Sequence, residues 1–205
     1  MLTSSVVEPG GAKRQGRIKG VALREFINWV EQNWGQATLK TALTKLPPRF
    51  AGVLNADRPG LGLLAASWYD GEMGILLLEA LFDGRSEQER NRAIAEATQR
   101  LMEANLGSVY KRFFIRLFLS PQQYVVHCQK LWALHFDTGD IDAQFVNPKK
   151  ILWRIAGWRT YHPYLCRFVI SSEPAVFGAM GCKRVRATAT TNEPGYECSH
   201  YIEWD

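Results

Sequence analysis

This chain of 205 residues carries none of the short motifs that announce a chemistry by themselves. It has no P-loop, no dinucleotide-binding glycine fingerprint, no GxSxG elbow and no HExxH helix, so the most legible nucleotide, hydrolase and zinc-protease readings fall away. Gly60-Leu61-Gly62 lacks the strand-to-helix setting of a phosphate cradle and reads as a plain loop. Long apolar runs are missing too. The windows at 74–82 and 113–119 fall well short of the ~20 residues that cross a bilayer, and 1–16 lacks the apolar segment that export needs. The expectation is a soluble, cytoplasmic protein with no membrane span. The four cysteines, Cys128, Cys166, Cys182 and Cys198, form no CxxC pair and no zinc-finger spacing, so reduced thiols are expected. Excess charge is modest at +5, and the only basic cluster is Lys13, Arg14, Arg17 and Lys19. No stacking aromatics accompany it, so it reads as a solvated tail rather than a nucleic-acid site.

What is present is a change of periodicity along the chain. Val21, Phe26, Trp29 and Val30 give helix spacing from Ile18 onward, and Gly35 interrupts it. A second helix over 38–46 stops at Pro47-Pro48. Residues 73–82 are apolar nearly all round, as in a buried helix. Ser86 and Glu89 make a capping box for a helix carrying Ala93, Ile94, Ala97, Leu101 and Met102. Gly107 marks a bend before 109–119, and Ser120-Pro121 starts the next helix. The pattern then alternates at 141–146 and again at 149–158, around the turn Asn147-Pro148-Lys149. A helix over 164–180 follows, and then two strands over 183–205 around Asn192-Glu193-Pro194-Gly195. The reading is α+β: an N-terminal helical lobe followed by a β-β-α-β-β antiparallel-sheet lobe. A disordered tail at 1–17 precedes one two-lobed domain at 18–205.

Few residues carry chemistry. His127, on the helix from Pro121, could ligate a haem iron through a neutral nitrogen, or be an ordinary histidine. His135 could be a cation at that helix's C-terminus. Arg159 and His162 lie near a helix start where Pro163 suits the first position, so they could meet an anionic head group, while Trp158 could simply pack. Cys166, Cys182 and Cys198 could form a thiolate metal site or be core residues. Cys198 and His200 share a strand face, but nothing supplies an oxyanion hole or third residue. No catalytic residue and no cofactor are assigned. Tyr124, Leu131 and Trp132 share a helix side, and Trp153 shares a strand face with Ile151 and Ile155. Together with Trp158 and Phe136 they either line a pocket or fill a core.

Ile18-Lys19-Gly20-Val21, Gly107-Ser108-Val109-Tyr110, and the ending Gly195 through Trp204 resemble a superfamily of haem-nitric-oxide-binding (H-NOX) domains, 4-vinyl reductase domains and TRAPP-type trafficking subunits. Ser120-Pro121, Asp137-Thr138-Gly139, and Gly157-Trp158 with His162-Pro163-Tyr164-Leu165-Cys166 look like an uncharacterised family of chains about this long found in myxobacteria. The resemblance runs from about Ile18 to Trp204. It implies a proximal haem histidine, for which His127 is the nearest candidate, and a Tyr-x-Ser-x-Arg grip on haem propionates. The matching strand here reads Trp153-Arg154-Ile155-Ala156-Gly157. Of the two cysteines that 4-vinyl reductase domains often carry in their last strands, only Cys198 is matched.

The expected function is a non-enzymatic regulatory or sensory module. It binds a small hydrophobic or aromatic molecule between lobe and sheet through Tyr124, Leu131, Trp132, Trp153, Trp158 and His162. The alternative is a protein–protein module of TRAPP type, dimerising or meeting a signalling partner through apolar faces of the helices from Leu23 and Ser86. A haem gas sensor comes third.

Overall fold

The computed structural model describes residues 16–50, 52–106, 120–190 and 194–205, and the side chains of 104–106 are outside that set. The expected tail at 1–15, the bend at Gly107 with the helix at 109–119, and Asn192-Glu193 of the last turn therefore lie outside the described residues.

The chain opens with an element that periodicity missed. Arg17 to Lys19, expected partly as tail and partly as helix, form a strand, β1 (Arg17–Lys19). Three residues are too few to show alternation. It pairs antiparallel with β2 (Trp68–Asp70), Ile18 lying opposite Tyr69. Ile18 also bridges to Phe136, and Lys19 N–H donates to His135 O at 2.8 Å. β1 thus staples the helical lobe to the segment that leads into the main sheet. Gly71 must be glycine here, because a Cβ would stand 2.0 Å from Thr160 Cγ2 and 2.5 Å from Gly16 O.

The helical lobe comprises α1 (Gly20–Trp34), α2 (Gln36–Thr44), α3 (Gly71–Phe82) and α4 (Glu87–Leu106). α1 buries Leu23, Phe26, Ile27, Trp29 and Val30, one stripe at helix spacing. Gly35 separates it from α2 at φ 82°, in the left-handed region. Asp70 caps α3, its carboxylate accepting from Glu72 N–H at 2.8 Å. The capping box before α4 forms as expected: Ser86 N–H donates to Glu89 Oε2 at 2.8 Å, and Glu89 N–H donates to Ser86 Oγ at 3.3 Å.

α5 (Pro121–Trp132) starts with Ser120 as N-cap and feeds the sheet lobe. That lobe contains β3 (Asp140–Asn147), β4 (Lys150–Ala156), α6 (Pro163–Ala179), β5 (Arg186–Ala189) and β6 (Cys198–Glu203). The strands are antiparallel in the order β3-β4-β6-β5. Trp153 lies opposite His200, Ile151 opposite Ile202, and Ile155 opposite Cys198. Strand alternation puts these six on one face, and all are buried. This confirms the α+β plan.

One expectation is corrected here. Cys166, on the first turns of α6, and Cys198 are joined by a disulfide rather than held as free thiols. Strand pairing beneath α6 brings together two cysteines whose spacing of 32 residues gave no hint of it. Cys128 and Cys182 are free.

Candidate functional site

Where α5 crosses the sheet, aromatic side chains converge. Helix spacing puts Tyr124, Cys128 and Trp132 on the buried stripe of α5. Trp132 stacks on Phe136 at 4.3 Å and meets Trp158 at 4.8 Å and Trp153 at 5.9 Å, between ring centroids. Trp158 also meets Phe136 at 5.1 Å. Trp132 Nε1–H donates to Thr138 O at 2.8 Å. The next residue, Gly139, sits at φ 107°, and a Cβ there would come within 2.9 Å of the same nitrogen. Trp132 thus touches the other three rings, in the seam expected either to line a pocket or to fill a core. Leu131 is half-buried at its edge.

Beside the rings lies a polar group that sequence reasoning missed. Tyr124 Oη donates to Glu173 Oε1 at 2.8 Å, and His200 Nε2 stands 3.5 Å from the same oxygen. Glu173 is 3% exposed and His200 0%. Among the described residues, Glu173 Oε2, both ring nitrogens of His200, and Nε1 of Trp153 and Trp158 have no hydrogen-bond partner. The His200 ring lies 4.8 Å from that of Trp153, so the polar group adjoins the aromatic one. Burial, then the charge of Glu173, pushes the Tyr124 phenol well above its ordinary range. Burial, with Glu173 adding to it, pushes the Cys128 thiol up to about 11. A signal for this group was present: Glu173 is a lone acid on an apolar helical stripe with Val176 and Phe177, and His200 alternates with Cys198 and Ile202.

The remaining candidates fall elsewhere. His127 is half-buried, and at 100° per residue it lies about 100° round α5 from the middle of the buried stripe. His135 follows the helix. Burial lowers its pKa below the ordinary imidazole value, which disfavours the C-terminal cation weighed for it. His162 caps α6, its Nδ1 accepting from Tyr164 N–H at 3.2 Å, and Nε2 faces Glu79 at 3.3 Å. It opens on a separate surface cleft of about 390 Å³, shared with Glu79, Arg90 and Tyr164. Arg159 N–H donates to Thr138 Oγ1. No group of three or more His, Cys, Asp or Glu among the described residues is placed to hold a metal ion.

Comparison with known proteins finds likeness in structure alone. No protein-family model matches the sequence, and no curated protein matches it. An iron(II) unliganded H-NOX protein from K. algicida superposes with TM-score 0.65 at 12% identity, over 92% of this chain and 97% of that one. An oxygen-binding H-NOX domain, described as related to soluble guanylate cyclases, gives 0.60 at 10% identity, over 92% and 95%. A mutant T. tengcongensis H-NOX gives 0.59 at 10% identity, over 92% and 98%. The chain has an H-NOX-like fold.

That fold implies haem, and the described residues do not fit one. Rings already in contact occupy the seam between α5 and the sheet, and two surface clefts, one at Asn147, Lys150 and Arg186 and the other at Glu79 and His162, lie away from it. His127 stands off the buried stripe, and the seam-facing residues of β4 are Ile151, Trp153 and Ile155.

Proposed function

We propose that this chain is a non-enzymatic sensory or regulatory module that receives a small apolar or aromatic molecule between its helical lobe and its sheet. The observation that carries the reading is the buried seam itself. Polar atoms of Glu173, His200, Trp153 and Trp158 stay unsatisfied inside an aromatic cluster, although an unpaired buried polar group costs about 1–3 kcal/mol. A ligand entering among Tyr124, Leu131, Trp132, Trp153 and Trp158 would satisfy such atoms and replace ring–ring contact with ring–ligand contact. His162 lines a separate cleft and would act on the seam through α6, whose start it caps and which carries Glu173. The H-NOX-like fold supports a sensory role.

Native mass spectrometry of gently purified protein tests the reading. A copurified small molecule, lost when Trp153 is replaced by Ala, is the expected result. A bare chain mass, together with no tryptophan-fluorescence response to small aromatic molecules, would overturn it. The same spectrum reports oligomeric state, which bears on the protein–protein reading. The outward faces of α1 and α4 carry such residues as Glu31, Gln32, Gln88, Glu89 and Arg92 rather than an apolar patch. What favours a partner instead is the edge strand β3, where Phe145 and Val146 are 36% and 53% exposed.

A further inference from the structure

We propose that the molecule received by the seam is a cationic aromatic amine, its ammonium nitrogen held by Glu173 and its ring by Trp153 and Trp132. The inference rests on the function proposed above and names the ligand class. It begins from the carboxylate. Glu173 Oε1 is engaged by Tyr124 and approached by His200, while Oε2 has no partner. No lysine or arginine among the described residues pairs with Glu173. An ionised carboxylate accepts at both oxygens, and burying it without a full set of donors carries a large penalty. An ammonium group is the donor that answers both the free oxygen and the charge, since charge-assisted hydrogen bonds are about twice as strong as neutral ones.

The surroundings agree. Among the described residues His200 is the cationic candidate that reaches Glu173, at 3.5 Å without a hydrogen bond, and its ring lies 4.8 Å from that of Trp153. The groups facing Glu173 from α5 are the Tyr124 phenol and the Cys128 thiol, and its negative charge helps hold both protonated. A field that disfavours anions favours a cation. Trp153, in ring contact with both His200 and Trp132, supplies an indole face to stack on the ligand ring and to attract its charge.

The test is a fluorescence titration at pH 7 with three probes that share one ring: tryptamine, 3-methylindole and indole-3-acetate. Tryptamine should bind at least about ten-fold more tightly than 3-methylindole, with indole-3-acetate weakest. Glu173→Gln, which keeps the shape and removes the charge, should erase the amine preference, so that tryptamine and 3-methylindole bind the variant about equally. The wild-type ranking stands as a test by itself if that variant does not fold. Equal binding of all three probes, or an amine preference that survives Glu173→Gln, would overturn the amine assignment and leave an aromatic-binding seam. Binding by none of them would overturn the assignment and count against the seam as a ligand site.

Discussion

Replacing Trp158 by Ala should cost stability. The ring is 2% exposed and is among the largest fully buried side chains. It meets Trp132 at 4.8 Å, Phe136 at 5.1 Å and Tyr161 at 5.8 Å. Its indole nitrogen has no hydrogen-bond partner, so the substitution loses no hydrogen bond, and the penalty comes from transfer and cavity alone. Large-to-small changes of this kind cost ~3–5 kcal/mol, out of a total of about 5–15 kcal/mol for a typical domain. For a chain of this size each kcal/mol moves Tm by about 2–4 °C, so Tm should fall by roughly 6–20 °C. Trp158→Phe keeps a ring against Trp132 and Phe136 and should lose less than half as much. Urea unfolding followed by far-UV circular dichroism gives the numbers, provided that m is unchanged. A loss below about 1 kcal/mol in the Ala variant would show that the seam does not depend on this ring, and would make the turn at Trp158 a binding element instead.

The protein should purify without a Soret band. A strong band that disappears in His127→Ala would refute the argument from the filled seam. Ser86→Ala should cost ~1 kcal/mol by removing the cap of α4, and an unchanged urea midpoint would mean that the α4 start contributes nothing. Reduction by a dithiol should lower stability by about 3–4 kcal/mol on loop-closure grounds, given the separation of 32 residues between Cys166 and Cys198. Equal urea midpoints with and without reductant would refute it. The Cys128 thiol, raised to about 11 when folded, binds its proton more tightly in the folded than in the unfolded chain. Its contribution is therefore complete below about pH 8.5 and is lost as pH rises toward the folded value. Cys128→Ala should flatten the alkaline fall in urea midpoint between pH 8 and 10.5, and parallel curves for the two proteins would count against it.

The fold was legible wherever a single periodicity ran long enough to be read. α3, the capped start of α4, the Ser120-Pro121 start of α5, and the β3–β4 hairpin all follow from spacing and cap chemistry. β1 and β2 were not legible, because three residues show no period and their pairing spans half a lobe. The site was legible in its aromatic half. Helix and strand spacing bring Tyr124, Trp132 and Trp153 to one seam, although whether rings enclose a space or fill it depends on volumes that spacing does not measure. The polar half was missed because Glu173 and His200 are each ordinary in one dimension. Only the packing of α6 across β6 makes a buried pair of them, and the same packing makes the disulfide.

These contacts also determine which element must yield if the seam is to open. α6 is held on two sides: by the Cys166–Cys198 bond to β6, and by Arg90 to the Tyr164 hydroxyl and Arg167 to Asn91 and Glu87 across to α4. β4 is hydrogen-bonded on both edges, to β3 and β6. Among the described residues α5 has no covalent tie to the seam, Cys128 being free, and meets it through Tyr124 to Glu173, Trp132 to Thr138, Gln129 to Gly139 and Ile141, and ring contacts. A molecule that displaces Tyr124 from Glu173 exchanges one hydrogen bond for another, at little net cost, and loosens α5 at that point. A molecule that displaces α6 must work against a covalent bond. Under the proposed function, α5 is therefore the element through which occupancy of the seam is felt by the rest of the chain.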